Sequence, residues 1–287
     1  MFNLQVEDFF NQPTCAYTFL VYDGHSRDAV IIDSLLDYNY PASKLAYSSA
    51  DALLERVKLL GLRVHYLLET HAHADHLSGA HYIKTQLPQA KTAIGEHITH
   101  VQKIFSGLFN INIATDGSQF DRLLEDDETI ECGSVRVKIL HTPGHTPSCC
   151  CFLVNDQAVF TGDTIFMPDY GTARCDFPGG DAAMLYRSVT RKLFTLPDQT
   201  KNYVGHDYQP GGRREMCATT IGAQKRDNIM LNRNTSEEKF VAAREARDAG
   251  LNAPNLLLPS IQVNIRAGEL PAAEDNGKSY LKIPVRT

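Results

Sequence analysis

No stretch of this sequence approaches the roughly 18 consecutive apolar residues that a membrane-spanning helix needs. Basic charge is not in excess either: 28 Lys and Arg against 34 Asp and Glu leave a net charge of −6. That balance gives no reason to expect nucleic acid or an anionic membrane as a partner. The opening segment MFNLQVEDFFNQPTCAY lacks a basic stretch followed by an apolar core and is too acidic for an arginine-rich transit peptide. A cytoplasmic location is therefore expected. The seven cysteines never form C-x-x-C, and their number is odd, which argues against a zinc ribbon and against a disulfide framework. The run CCCFLV, with Cys149, Cys150 and Cys151, reads as a strand that uses cysteine as a small apolar residue. Internal repeats and low-complexity tracts are lacking as well.

What is present is ordinary globular material. At 287 residues, 43% hydrophobic and 22% charged, the chain can bury a substantial core. Residues 1–250 are expected to form one catalytic domain, with 251–287 an irregular extension packed on it. AYTFLVY and AVIID flank the turn-rich DGHSRD and read as a hairpin. Ser48 with Asp51 resembles a capping box ahead of a helix on Leu53, Leu54, Val57 and Leu60 that Gly61 ends. VHYLLET is a buried strand. A short helix is expected from about His76, another near EHITHVQKIF and another over Ala182 to Leu193. Thr235 with Glu238 opens a further helix that Gly250 closes. VRVKIL, SCCCFLV and AVFTG are short strands, punctuated by Gly or Pro. Strands in two blocks, each with helices, fit two sheets with helices outside.

The chemistry concentrates in ETHAHADHLSGA, where His71, His73, Asp75 and His76 fall within six positions after an apolar strand. His71 and His73, two apart, converge only if the chain has already left the strand. Three later junctions add donors: His141 and His145 in HTPGHT, Asp163 in FTGDT, and His206 in YVGHDY. Strand-to-loop junctions are where a scaffold aims side chains into one cleft. A lone histidine is better read as a surface or hydrogen-bonded core residue, and His25, His65, His81, His97, His100 and His141 take that reading. Four independent segments matching together point to a metal.

This combination of H-x-H-x-D-H, T-P-G-H-T, G-D after an apolar strand and G-H-D resembles the metallo-β-lactamase superfamily, over roughly Ala16 to Tyr208. The resemblance implies an α/β fold, a four-layer αββα sandwich with its metal cleft at the sheet edges. It also implies one metal site from His71, His73 and His145 and a second from Asp75, His76 and His206, with Asp163 between them. A hydrolase similar to glyoxalase II fills both sites with zinc and uses them on a thioester. Fold alone does not select the reaction.

The segments SSADALLERVKLLGLRVHYLLETHAHADHLSGA, HTPGHTPSCCCFLV, FTGDTIF, GTARCDFPGGDAAMLYRSV and GHDYQPGGR are similar to persulfide dioxygenases, especially the bacterial group without a fused rhodanese domain. That resemblance implies oxidation of glutathione persulfide by O2 to sulfite at one Fe(II) per chain, held by His71, His145 and Asp163. A 2-His-1-carboxylate face leaves open positions on the ion. His73, Asp75, His76 and His206 then serve as partners that hold the ligands, although the same donors leave a site of two Zn ions open. The family places an arginine at Arg174 and a tyrosine at Tyr208, expected to order the site and reach the substrate pocket; an ion pair of Arg174 with Asp176 or Asp181 is the plainer reading. Arg213 and Arg214, at an expected helix start, either offer a fork for a glutathione carboxylate or form a plain solvated helix end. Cys175 reads as unreactive packing near that pocket. A homo-oligomer, dimeric or higher, is expected on family likeness.

Overall fold

The computed structural model of the chain describes residues 2–285. The chain forms two compact units: one from the segment up to Phe9, Thr18–Leu123 and the segment from Ala253, the other from Phe10–Tyr17 and Leu124–Asn252.

In chain order the elements wholly or mostly in the first unit begin with strands β1 Leu4–Asn11, β2 Ala16–Asp23, β3 Asp28–Ile32, β4 Leu35–Asn39 and β5 Lys44–Ala46, then helix α1 Ser48–Leu60 and strands β6 Arg63–Glu69 and β7 Leu77–Ser78. Helix α2 Ala80–Gln86, strand β8 Lys91–Gly95, helix α3 Ile98–Phe109 and strand β9 Arg122–Leu124 complete the run. Six strands form a sheet in the order β1-β2-β3-β6-β8-β9. β3 pairs in parallel with β6 and β6 with β8, and parallel neighbours need crossover connections, which here carry α1 and α2. All five residues of β3 are buried, as a strand covered on both faces requires. Leu53, Val57 and Ile83 from the helices pack with Leu20, Ile31 and Leu67 from the sheet. Burying a leucine such as Leu53 contributes about 1.5–3 kcal/mol.

The second unit contributes β10 Thr129–Cys132, β11 Val135–His141, β12 Cys150–Val154 and β13 Ala158–Phe160, then α4 Ala182–Arg191, β14 Lys201–Tyr203, β15 Ala218–Thr220, α5 Ile221–Asp227 and α6 Glu237–Asp248. These strands form a second sheet in sequence order, antiparallel except for the parallel pair β13 and β14. Leu185 and Val189 of α4 and Phe240 of α6 pack with Leu140, Cys151 and Leu153 of the strands. Cys151 thus fills core volume, and burial pushes the Cys149 thiol up to about 12, out of reach of thiolate chemistry. Each unit therefore holds one six-stranded sheet with its own helices, the half that an αββα sandwich contains twice, and the first unit adds a small three-stranded sheet in the order β5-β4-β7.

Three local expectations are corrected. Tyr47, not Ser48, is the N-cap of α1, without a side-chain cap, because Asp37 of β4 accepts from the Ser49 amide at 2.9 Å and its hydroxyl at 2.7 Å. Ser236 caps α6 and Ala249 closes it, since the Thr235 hydroxyl already accepts from the Asn232 amide. The segment from 251 is not wholly irregular: it contains helix α7, Leu257–Asn264, on which part of the donor loop depends.

Candidate metal centre

The first unit holds the donor cluster on an irregular loop between β6 and β7, so the chain has left the strand before His71. Asp33 follows β3 with φ of +52°, a left-handed conformation that Asp tolerates better than most residues. There its carboxylate accepts from the Thr70 amide at 2.7 Å and the Thr70 hydroxyl at 2.8 Å. That hydroxyl has spent its one proton on Asp33. Its 3.0 Å contact with His71 Nδ1 is therefore one in which Nδ1–H donates. The His71 tautomer is fixed, and Nε2 is left with its lone pair for a metal.

His73 is held differently. Its Nε2 lies 3.1 Å from Asp33 Oδ1 and 3.3 Å from Glu69 Oε2. Burial disfavours a charge on this imidazole, but the Asp33 and Glu69 carboxylates overcome it and hold the His73 pKa well above the ordinary value. Burial raises that of Glu69. With Nε2 facing the carboxylates, Nδ1 is the nitrogen from which a bound metal would displace a proton. One donor atom from each of His73, Asp75 and His76 lies within 4.8 Å of the other two, and the His73 and His76 rings are 4.2 Å apart.

The second unit presents His145, Asp163 and His206. Gly144 precedes His145 with φ of +143°, and a Cβ there would lie 2.4 Å from Leu185 Cα. Only glycine lets the turn run this close to α4, where the Asp181 amide donates to Gly144 O at 2.8 Å. His145 Nδ1 meets Arg174 O at 2.7 Å. A carbonyl only accepts, so Nδ1 carries the proton and Nε2 the lone pair. Nε2 is 3.7 Å from Asp163 Oδ2, while His206 Nε2 is 3.4 Å from Oδ1, so the two carboxylate oxygens serve two different imidazoles. The glycines of the G-D and G-H-D motifs touch: Gly205 donates its amide to Gly162 O at 3.0 Å, and a Cβ on Gly205 would meet Gly162 C at 2.9 Å and Asp163 Oδ1 at 3.0 Å.

Other expected residues fall as follows. His141 Nε2 meets Pro147 O at 2.9 Å and His65 meets Asp28 at 2.7 Å, both structural. Arg174 grips Asp176 with two bonds of 2.6 Å and donates to Asn252 O at 2.7 Å. Asp181 instead caps α4. What orders His145 is the Arg174 carbonyl, not its guanidinium. Cys175 is buried, and burial raises its pKa. Tyr208 stacks on His206 with centroids 5.5 Å apart and planes at 6°, and it is exposed. No helix starts at Arg213: Pro210–Gly212 is a single 3-10 turn and Arg213 is extended. The Arg213 fork is filled by Asp169 at 2.6 and 2.9 Å and Asp207 at 2.6 and 2.8 Å, carboxylates that the chain itself holds in place, with which an external anion has to compete. Arg214 points into solvent.

Sequence reasoning missed Asn264. Buried on α7, it donates to His73 O at 2.7 Å and His76 O at 2.8 Å and accepts from the Ser78 amide at 2.8 Å. Nothing in the apolar surroundings LLLPSIQVNI signals this.

In each unit buried imidazoles stand beside carboxylates, His73 by Asp33 and Glu69 in the first, His145 and His206 by Asp163 in the second, which are donor types that a protein-bound transition metal takes. The chain belongs to the metallo-beta-lactamase superfamily, whose pattern matches residues 14–206. Its fold is of that type. It is similar over 98% of its length to a probable metallo-hydrolase of Burkholderia pseudomallei, at 51% identity and covering 99% of that protein. It is likewise similar to Glyoxylase B2 of Dictyostelium discoideum, at 47% identity over 98% of this chain and 97% of that one. Persulfide dioxygenase ETHE1 of Bos taurus is 32% identical over 92% of this chain and 88% of its own. Among solved structures, ETHE1 from Myxococcus xanthus matches 92% of this chain and all of that one, with a TM-score of 0.74 and 29% identity. No helix among the described residues is long and apolar enough to cross a membrane.

Proposed function

We propose that the protein is a persulfide dioxygenase, which converts glutathione persulfide, O2 and water to glutathione and sulfite. In this reading His71, His145 and Asp163, the ligands that the resemblance to persulfide dioxygenases implies, hold one Fe(II). The observation that carries it is the shared preparation of the two histidines. Each has Nδ1 committed to an oxygen, Thr70 Oγ1 for His71 and Arg174 O for His145, so both offer Nε2. His73, in the same loop, instead has Nε2 between two carboxylates. The likeness to persulfide dioxygenases at 32% identity supports the same reading.

A ferrous ion, when bound, supplies redox capacity and open positions at which two reactants are oriented together. The chain supplies the rest. Asp33 and Arg174 O hold the tautomers, and the Asp163 carboxylate balances part of the ion's charge. His206 keeps Asp163 turned, and exposed Tyr208, stacked on His206, is the residue proposed to touch the persulfide. Arg213 is not assigned to the substrate, since its fork is filled. The test is oxygen consumption by iron-loaded protein. Uptake that begins on adding glutathione persulfide, with sulfite formed, supports the proposal; fully iron-loaded protein that consumes no O2 overturns it.

A second reading, a zinc thioester hydrolase, is favoured by one observation. His73, Asp75 and His76 present donors within 4.8 Å of one another, enough to begin a second site, and Glyoxylase B2 is a relative. Zn(II) has no redox change to offer a dioxygenase. Two zinc ions per chain with hydrolysis of S-lactoylglutathione would establish it.

A further inference from the structure

We infer that Asn264 is a positioning residue of the metal centre, and that through it the C-terminal segment completes the donor loop. This rests on the reading that the centre binds a metal, and it holds for either metal. Asn264 is 3% exposed, and its side chain bonds to the loop: its amide group donates to His73 O and His76 O, and its oxygen accepts from Ser78 N. Both carbonyls belong to donor residues, so the side chain spans the turn that contains Asp75.

The network continues beyond it. The Ser78 hydroxyl donates to Glu69 Oε1 at 2.6 Å, and Glu69 Oε2 faces His73 Nε2. The chain after Asn264 is fixed in turn. Gln102 of α3 donates to Ile265 O at 3.0 Å, and Gly268, with φ of +85°, approaches so closely that a Cβ would lie 2.9 Å from Ser78 O. Val263 packs in the core of the same unit. A residue 191 positions after His73 and 188 after His76 therefore sets the backbone from which His73, Asp75 and His76 project. Removing the Asn264 amide leaves two buried carbonyls without these donors, and the loop relaxes to recover partners.

Cobalt(II) titration of the full chain, with chelator competition, tests this. Asn264→Ala is expected to weaken cobalt binding about 10–100-fold, the usual effect of losing an outer partner of a metal ligand. Leu53→Ala, in α1 of the same unit and outside the loop, is expected to lower the melting temperature yet leave cobalt affinity within about twofold, as independent sites do. Equal binding by Asn264→Ala and the parent overturns the inference, as does an equal loss in Leu53→Ala. A parent that binds no cobalt overturns the metal reading and the inference with it.

Should Asn264→Ala not fold, hydrogen exchange on the unchanged chain decides, because coupling is reciprocal. Cobalt is then expected to slow exchange of the α7 amides of residues 261–264 together with Ser78. Protection of Ser78 with none in α7 overturns the inference.

Discussion

The two units place metal donors by opposite means. In the first, His71, His73, Asp75 and His76 are neighbours in sequence, and the loop is held by side chains: Asp33, Glu69, Ser78 and Asn264. In the second, His145, Asp163 and His206 are spread over three junctions and are aimed by backbone: Arg174 O, the Gly144 turn and the Gly162–Gly205 contact. The difference teaches where each half is vulnerable. A side-chain scaffold fails by losing a hydrogen-bonding group, a backbone scaffold by gaining a methyl group.

The comparison is sharpest at Asp163. Asp163→Asn is expected to lower metal affinity more than about 100-fold, since even outer partners are worth about 10–100-fold. Metal content after dialysis checks this, and sulfite formation is expected to vanish with it. Next in size, Gly144→Ala drives a Cβ into the backbone of α4 at a left-handed φ. It is expected to cost about 3 kcal/mol or more, the upper range for overpacking, read by chemical denaturation. An Asp33→Asn variant attacks the other scaffold. It removes the charge facing His73 and weakens the acceptor that fixes the Thr70 hydroxyl, so metal affinity is expected to fall about 10–100-fold with little change in melting temperature. Stability loss from Asp33→Asn as large as that from Gly144→Ala, with metal affinity intact, would break the comparison.

Smaller effects separate clamp from substrate contact. Arg213→Lys keeps the charge but not the fork. It is expected to cost about 1 kcal/mol of stability and to leave KM for the persulfide unchanged. Arg214→Ala, at a solvated position, is expected to stay within about 0.5 kcal/mol of the parent, again with no change in KM.

The donors themselves were legible because metal ligation demands particular residue types, and those types stand out at strand ends whatever surrounds them. His141 was separable from His145 by the turn that follows it. The fold class came from strand blocks and from the resemblance. What stayed hidden depends on partners distant in sequence. Asp37, in a strand before α1, displaces the Ser48 cap by bonding Ser49, 12 residues further on. The Arg174 carbonyl, not its conspicuous guanidinium, fixes His145, and backbone groups carry no residue signature. Arg213 looked available because Asp169, some forty residues away, is not visible as its partner. Asn264 was the largest omission, since one buried amide in an apolar helix looks like any other core polar group until the loop it holds is in place.

The central claim concerns the metal and the reaction together. One anaerobic preparation, divided and loaded with Fe(II) or Zn(II), is offered glutathione persulfide with O2 and, separately, S-lactoylglutathione. The account predicts sulfite from the iron half alone and negligible thioester hydrolysis by either. Thioester hydrolysis by the zinc half with no sulfite from the iron half would contradict it.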